Sequence, residues 1–345
     1  MKRSVVVMVI AALALLAAAC GSIEDTGAAA GGETEAAPAT SEAATADVGA
    51  TAPPDDGPVT ITDARGAELT LDAPATEVVG LEWGAVENLV SLGVMPVGVA
   101  DVEGYTAWVS AAPLDEGVTD VGMRGEPSID ALVALDPELV VSTTDLPPNI
   151  IEQIEEFVPV LVVRGANAEQ PIEQMRDNLT MTAEAVGRSA EAEALLADLD
   201  ATMADGAREI EEAGLAGNGF ALADGYLEGS TVSIRMFTDG SLVGAVGEEL
   251  GMENEWDGEG DPDYGLAQTD VEGLTALDDV EFLYYANDDQ GGDPFDEGLS
   301  GNAVWESLPF VESGNVHRLP DGIWMFGGPL SVEQFIDATV EAVTS

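Results

Sequence analysis

The chain has 345 residues, of which 66 are Asp or Glu and 10 are Lys or Arg, for a formal net charge of -56. A field of that sign repels nucleic acid and anionic headgroups, and so few cations cannot assemble a basic surface, which excludes nucleic acid as a partner. Hydrophobic residues make up 46 %, enough to bury a sizeable core, and the length suits about two domains.

Lys2 and Arg3 precede an apolar run over 5–16, and Ala17, Ala18 and Ala19 lead into Cys20. This order of charge, apolar stretch and small residues predicts a lipoprotein signal peptide over 1–19, cleaved before Cys20, whose sulfur then takes the lipid. The run is shorter than the roughly 20 residues of a membrane span. The expected location is extracytoplasmic, anchored to the cell membrane at the cell surface or in a periplasm. Residues 20–57 are rich in Ala and acid, lack basic and aromatic residues, and end in Pro53-Pro54-Asp55-Asp56-Gly57, the composition of a flexible tether.

The body alternates short aliphatic runs with helical stretches. Strands are expected at 78–81, 94–99, 139–141 and 160–163, with helices at 86–92, 129–135 (capped by Ser128) and 149–156. Past Gly187-Arg188, Leu195, Leu199, Met203 and Ile210 recur at near-helical spacing, predicting a helix of about 25 residues and roughly 37 Å. The alternation then resumes, with strands at 220–223, 231–237, 280–286 and 315–319 and helices at 242–250, 302–308 and 331–343. The organisation predicted is an N-terminal α/β lobe over 58–188, a connecting helix over 189–214 and a C-terminal α/β lobe over 215–345. A small ligand belongs in the cleft between such lobes.

Cys20 is the one cysteine and His317 the one histidine, so no disulfide, cysteine zinc site or histidine cage can form. His317 falls in an expected strand without a Gly-x-Ser-x-Gly motif nearby, a poor context for a general base. The acid pairs Asp278-Asp279 and Asp288-Asp289 lack the spacing of a calcium loop. Among the scarce cations, Arg176, Arg188 and Arg208 lie in helical sequence beside glutamates. Arg124 instead occupies the loop Asp120-Val121-Gly122-Met123-Arg124-Gly125-Glu126-Pro127, between an expected strand and a capped helix, where ligands sit in α/β proteins. Arg235, in the strand at 231–237, suits either a ligand contact or an ion pair.

The body resembles the substrate-binding proteins of iron-siderophore ABC importers, in particular the ferric hydroxamate branch. The resemblance runs from about 78 to 343 and is carried by Leu81-Glu82-Trp83, Tyr105 to Trp108-Val109-Ser110, the loop from Asp120 to Pro127, Gly251 to Trp256, Trp305 to Phe310, and Ile323-Trp324-Met325-Phe326-Gly327. It implies a two-lobed α/β periplasmic-binding-protein fold of the helical-backbone type (class III), with a single long connecting helix. It implies a monomeric binding protein rather than an enzyme, whose ligand is a ferric siderophore, with no cofactor and no protein ligand to the iron. Arg124 matches the arginine that donates to hydroxamate oxygens, Trp108, Trp256 and Trp324 match aromatic walls, Phe326 stands in place of a tyrosine, and Leu146 in place of a second one. Trp83 and Trp305 are expected to serve packing. Partners implied are an ABC permease and its cytoplasmic ATPase, with Asp130, Glu126, Glu248 and Glu249 as candidate docking carboxylates. A cobalamin or haem receptor of the same fold is the alternative, and an extracellular hydrolase a more distant one.

Loss of residues 1–19 removes Lys2 and Arg3 and no carboxylate, leaving a charge of -58 on the mature chain. Such self-repulsion is relieved by screening. The urea midpoint of the folded body should rise between low and molar NaCl, and equal midpoints would refute salt adaptation.

Overall fold

The computed structural model describes residues 57–228 and 231–345; Cys20, the signal peptide and all of the tether but Gly57 lie outside them. The body opens with an antiparallel pair, β1 (Val59–Thr62) and β2 (Glu68–Leu71). There follow β3 (Val78–Gly80), α1 (Trp83–Ser91), β4 (Gly98–Val99), α2 (Val102–Trp108), β5 (Thr119–Asp120), the short hairpin of β6 (Gly122–Met123) and β7 (Glu126–Pro127), α3 (Ile129–Ala134), β8 (Leu139–Thr143), α4 (Pro148–Glu155) and β9 (Val160–Val163). The first sheet has the order β5-β4-β3-β8-β9, all parallel. Strands β3, β8 and β9 are buried end to end, which is why they appear in the sequence as unbroken aliphatic runs.

The chain leaves β3 toward β4 and β5 on one side and returns to β8 and β9 on the other. The sheet therefore reverses its winding between β3 and β8, and the carboxyl ends of those two strands flank the crevice where α/β folds place ligands.

Two helices follow, α5 (Pro171–Val186) and α6 (Ser189–Ala213), the latter close to the length expected for a connecting helix. The second sheet is built from β10 (Gly219–Glu228), β11 (Thr231–Phe237), β12 (Glu253–Asn254), β13 (Leu266–Thr269), β14 (Glu281–Tyr285) and β15 (Val316–Arg318), with α7 (Leu242–Glu249) and α8 (Pro309–Ser313) between strands and α9 (Pro329–Thr344) last. Its order is β13-β11-β10-β14-β15, with β12 paired to β10. Here the strands are mixed: β11 is antiparallel to both β10 and β13, while β14 and β15 are parallel to β10. The helix expected over 302–308 is instead a single 3-10 turn at Trp305–Ser307 followed by α8, because Pro309 starts a new helix where the first would have continued.

One hydrophobic cluster joins the two sheets. It runs from Trp83, Val86 and Tyr105 through Leu199 and Ile210 of α6 to Phe220, Leu283, Trp324 and Phe335. The other face of the second sheet has its own core, centred on Phe282, Phe295, Trp305 and Phe310.

A buried carboxylate fastens α1 to α9. Glu87 is fully buried, and its Oε1 accepts from the backbone N–H of Ser331 at 2.9 Å while Oε2 accepts from Ser331 Oγ at 2.7 Å. Gly328, at the start of α9, offers no side-chain cap. Glu87 thus satisfies an orphan donor of α9 from a different helix, where the helix dipole also favours negative charge. Burial nevertheless raises the Glu87 pKa above the ordinary range, with the hydrogen bonds from Ser331 and Gly328 opposing the rise.

A carboxyl that binds its proton more tightly folded than unfolded contributes stability that is complete below the unfolded value, near 4.5, and is lost as pH rises through the folded one. Glu87→Gln should therefore gain stability relative to the parent as pH rises from 4 to 8. Urea unfolding of both proteins across that range checks this, and a difference independent of pH would count against it.

Candidate ligand site in the interlobe cleft

The site grows from the carboxyl ends of the first sheet. Glu82 and Trp83 follow β3 after Leu81, Thr143 closes β8 with Asp145 just beyond it, and Arg124 sits at the tip of the β6–β7 hairpin. The turn into α2 is made by Asp101, whose left-handed backbone (φ 58°) brings its carboxylate onto the N–H of Gly104; α2 ends at Trp108.

Arg124 lies over the ring of Trp83, with Cζ 3.8 Å from its centroid and 5.6 Å from that of Trp324. Its Nη1 donates to Glu82 Oε1 at 2.8 Å, and both side chains remain partly exposed, at 34 % and 24 %. Two directions are thereby fixed, by stacking and by a charge-assisted bond, which holds the fork still. The Nε and Nη2 donors of Arg124 have no protein acceptor among the described residues. Desolvation raises the Glu82 pKa, against the opposing pull of the Arg124 charge.

Trp324 packs edge-on to Trp83 at 4.8 Å, to Trp108 at 6.3 Å and to Phe326 at 5.2 Å. Phe326 meets Tyr264 edge-on at 5.3 Å. The Tyr264 hydroxyl donates to Asp145 Oδ2 at 2.7 Å, as does Thr143 Oγ1 at 2.8 Å. Burial first, then the Asp145 charge, pushes the Tyr264 pKa far up, so the phenol stays a donor. A carbon in place of the Gly84 hydrogen would stand 2.8 Å from the Phe326 carbonyl oxygen, so only glycine there lets α1 approach this aromatic strip.

Behind Tyr264 and Phe326 lie two small cavities, of about 40 and 30 Å³, both lined by Gly165, Met175 and Asn178. They have room for waters and not for an organic complex. Arg124 is partly exposed and Asp145 is exposed.

The structure brings Arg124, Trp108, Trp324 and Phe326 together and places two expected ligand contacts, Trp256 and Leu146, elsewhere. Trp256 packs against the core on the far face of the second sheet, with no ring partner in the cleft cluster. Leu146 is buried in the first-sheet core beside Val79, Leu81 and Ile151; its neighbour Asp145 is the residue in the cleft. Arg235 makes a two-pronged ion pair with Asp224, its cross-strand partner in the β10–β11 register, and its Cζ stands 5.4 Å from the Phe326 ring. Burial raises the Asp224 pKa, with Arg235 opposing.

Trp83, expected to serve packing, is 4 % exposed and is also the platform for Arg124. The sequence pattern assigns no site role of its own to Glu82, Asp145 or Tyr264. A charged residue between an aliphatic strand and a Trp was the available signal for Glu82; an Asp amid Thr, Leu and Pro was that for Asp145. Of the docking candidates, Glu126 and Asp130 are exposed on β7 and the first turn of α3, and Glu248 and Glu249 are exposed at the end of α7. Among the described residues no cluster of His, Cys, Asp and Glu could hold a metal ion, and no helix is long and apolar enough to cross a membrane.

Two α/β lobes and a strip of aromatic rings between them define a binding-protein cleft. The chain belongs to the periplasmic binding protein family, whose sequence profile matches residues 78–322. It is 29 % identical over 269 residues to the iron(3+)-hydroxamate-binding protein FhuD of Escherichia coli, covering 77 % of this chain and 86 % of that protein. It is 24 % identical over 291 residues to the probable siderophore-binding lipoprotein YfiY of Bacillus subtilis, covering 82 % and 86 %. Among solved structures, the Fe3+-Desferal-bound siderophore-binding protein FhuD of Vibrio cholerae superposes with a TM-score of 0.69 at 22 % identity, over 78 % of this chain and 98 % of that one. This last likeness establishes the fold, long helix included.

Proposed function

We propose that this chain is the extracytoplasmic solute-binding component of an iron-siderophore ABC importer, and that it captures a ferric hydroxamate in the cleft described above. The observation that carries the reading is Arg124, pinned on Trp83 and by Glu82 at the mouth of the sheet reversal, with donors left over. A planar fork presenting adjacent N–H groups matches the paired oxygens of a hydroxamate. The iron arrives already caged by its chelator, so the protein's task is to hold the outside of that cage. Trp324, Phe326 and Tyr264 supply its apolar flank. The hydroxamate-binding relative supports this ligand class, and the siderophore-binding lipoprotein supports a siderophore as ligand.

The lobes in this reading are residues 58–188 and 215–345, joined by the helix over 189–214. The protein works as a monomer held to the membrane through a lipid on Cys20, and the acidic surface suits concentrated salt. A cobalamin or haem receptor would use the rings but has less need of a fixed guanidinium fork.

Two measurements test the proposal. Tryptophan fluorescence of residues 58–345 in molar salt should be quenched saturably by ferrichrome or ferrioxamine and not by ferric citrate or cobalamin. Arg124→Ala should weaken that binding roughly 10- to 100-fold, the loss expected for charge-assisted hydrogen bonds of about 1.5–3 kcal/mol. Response to cobalamin alone would overturn the ligand class. For delivery to the permease, Asp130→Arg should abolish uptake in whole cells while leaving the fluorescence titration unchanged, and normal uptake would remove Asp130 from the docking surface.

A further inference from the structure

The cleft carries more negative than positive charge at the place where the ligand meets it. Glu82 and Asp145 stand at the carboxyl ends of adjacent strands, close enough to influence one another, and Arg124 is the one cation beside them among the described residues. Arg124 is already neutralised by Glu82. Asp145 has only neutral partners, the hydroxyls of Thr143 and Tyr264, and both donate to Oδ2. Its Oδ1 has no protein donor among the described residues, and the side chain is exposed. Of the other arginines in this part of the fold, Arg235 is held by Asp224 and Arg164 pairs with Asp263 at 3.8 Å. The chain has no lysine beyond Lys2.

Given the siderophore-binding reading above, on which this rests, we propose that Asp145 is a specificity-determining residue that selects ferric hydroxamates bearing a protonated amine. One oxygen of the carboxylate is oriented by two hydroxyls, and the other is left for an ammonium N–H. The ring of Tyr264, whose hydroxyl lies 2.7 Å from Asp145 Oδ2, is a second favourable surface for a cation. Arg124 holds the iron-bearing oxygens and Asp145 the cationic arm, so the two contacts fix the orientation of the complex.

The test compares ferrioxamine B, which ends in a primary ammonium, with its N-acetyl derivative, which does not, by fluorescence titration at fixed ionic strength. The parent protein should bind the ammonium form about tenfold more tightly. Asp145→Asn keeps an acceptor for Tyr264 and Thr143 while removing the charge, and should bring the two affinities together, the ammonium form losing about tenfold more than the acetylated one. Equal affinities in the parent would overturn the proposal. A preference that survives in Asp145→Asn would overturn it also, because the net charge of the whole protein would then be its cause. Binding of neither ferrioxamine, nor of ferrichrome, would instead bring down the hydroxamate reading, and this one with it.

Discussion

The geometry of the cleft depends on one buried carboxylate. Glu87 sits one turn beyond Trp83 on α1 and accepts two hydrogen bonds from Ser331, and Ser331 lies three residues past the strip Trp324-Met325-Phe326-Gly327-Gly328. A single side chain therefore ties the platform of one lobe to the wall of the other. Burying a carboxylate is costly, and it is tolerated here because the unsatisfied N–H groups at the start of α9 need an acceptor and have none of their own. The Trp83 and Trp324 rings meet at 4.8 Å as a consequence, with the Arg124 guanidinium laid across the Trp83 face.

With that joint fixed, the continuous core from Trp83 to Phe335 and the unbroken α6 leave few soft dihedrals between the lobes. Packed interiors move by small steps or not at all. Ligand entry is then a matter of side chains and loops at the cleft mouth rather than wide opening. Tyr264 is the side chain that bridges to Asp145 there, from a loop stiffened by the Asp261 carboxylate, which accepts backbone N–H groups from Asp263, Tyr264 and Leu266.

Much of this architecture is legible in the sequence because buried parallel strands announce themselves as aliphatic runs and the long helix by its periodicity. What escapes is informative. The helix α2 begins at a left-handed Asp101 and contains Gly104, two features that imitate a loop, so Trp108 looks like a loop residue when it closes a helix. The β10–β11 hairpin carries Gly225 and Asp224 within the strand, where turn residues are expected to end it. Trp256 lies near glycines, but loop composition says nothing about which face of a sheet the loop crosses. Leu146 and Asp145 differ by one position, and one position decides whether a side chain enters the core or leaves it. The identity of those residues already pointed the right way, since the apolar one belongs inside.

Scarcity of cations gives the site its logic. In a chain with ordinary numbers of lysines, an extra carboxylate in the cleft would find a neighbour and carry no information. Here each arginine of the cleft region is committed, Arg124 to Glu82 and Arg235 to Asp224. Both ion pairs stand against aromatic rings, where water is partly excluded and their fields reach further than on the open surface. The paired charges cancel locally, so the uncancelled one, Asp145, dominates the near field that an approaching complex meets. High salt screens the protein's distant carboxylates beyond several ångströms but leaves a contact at hydrogen-bond distance largely intact. Screening of the distant carboxylates and a contact at hydrogen-bond distance within the cleft therefore operate on different length scales, and neither interferes with the other.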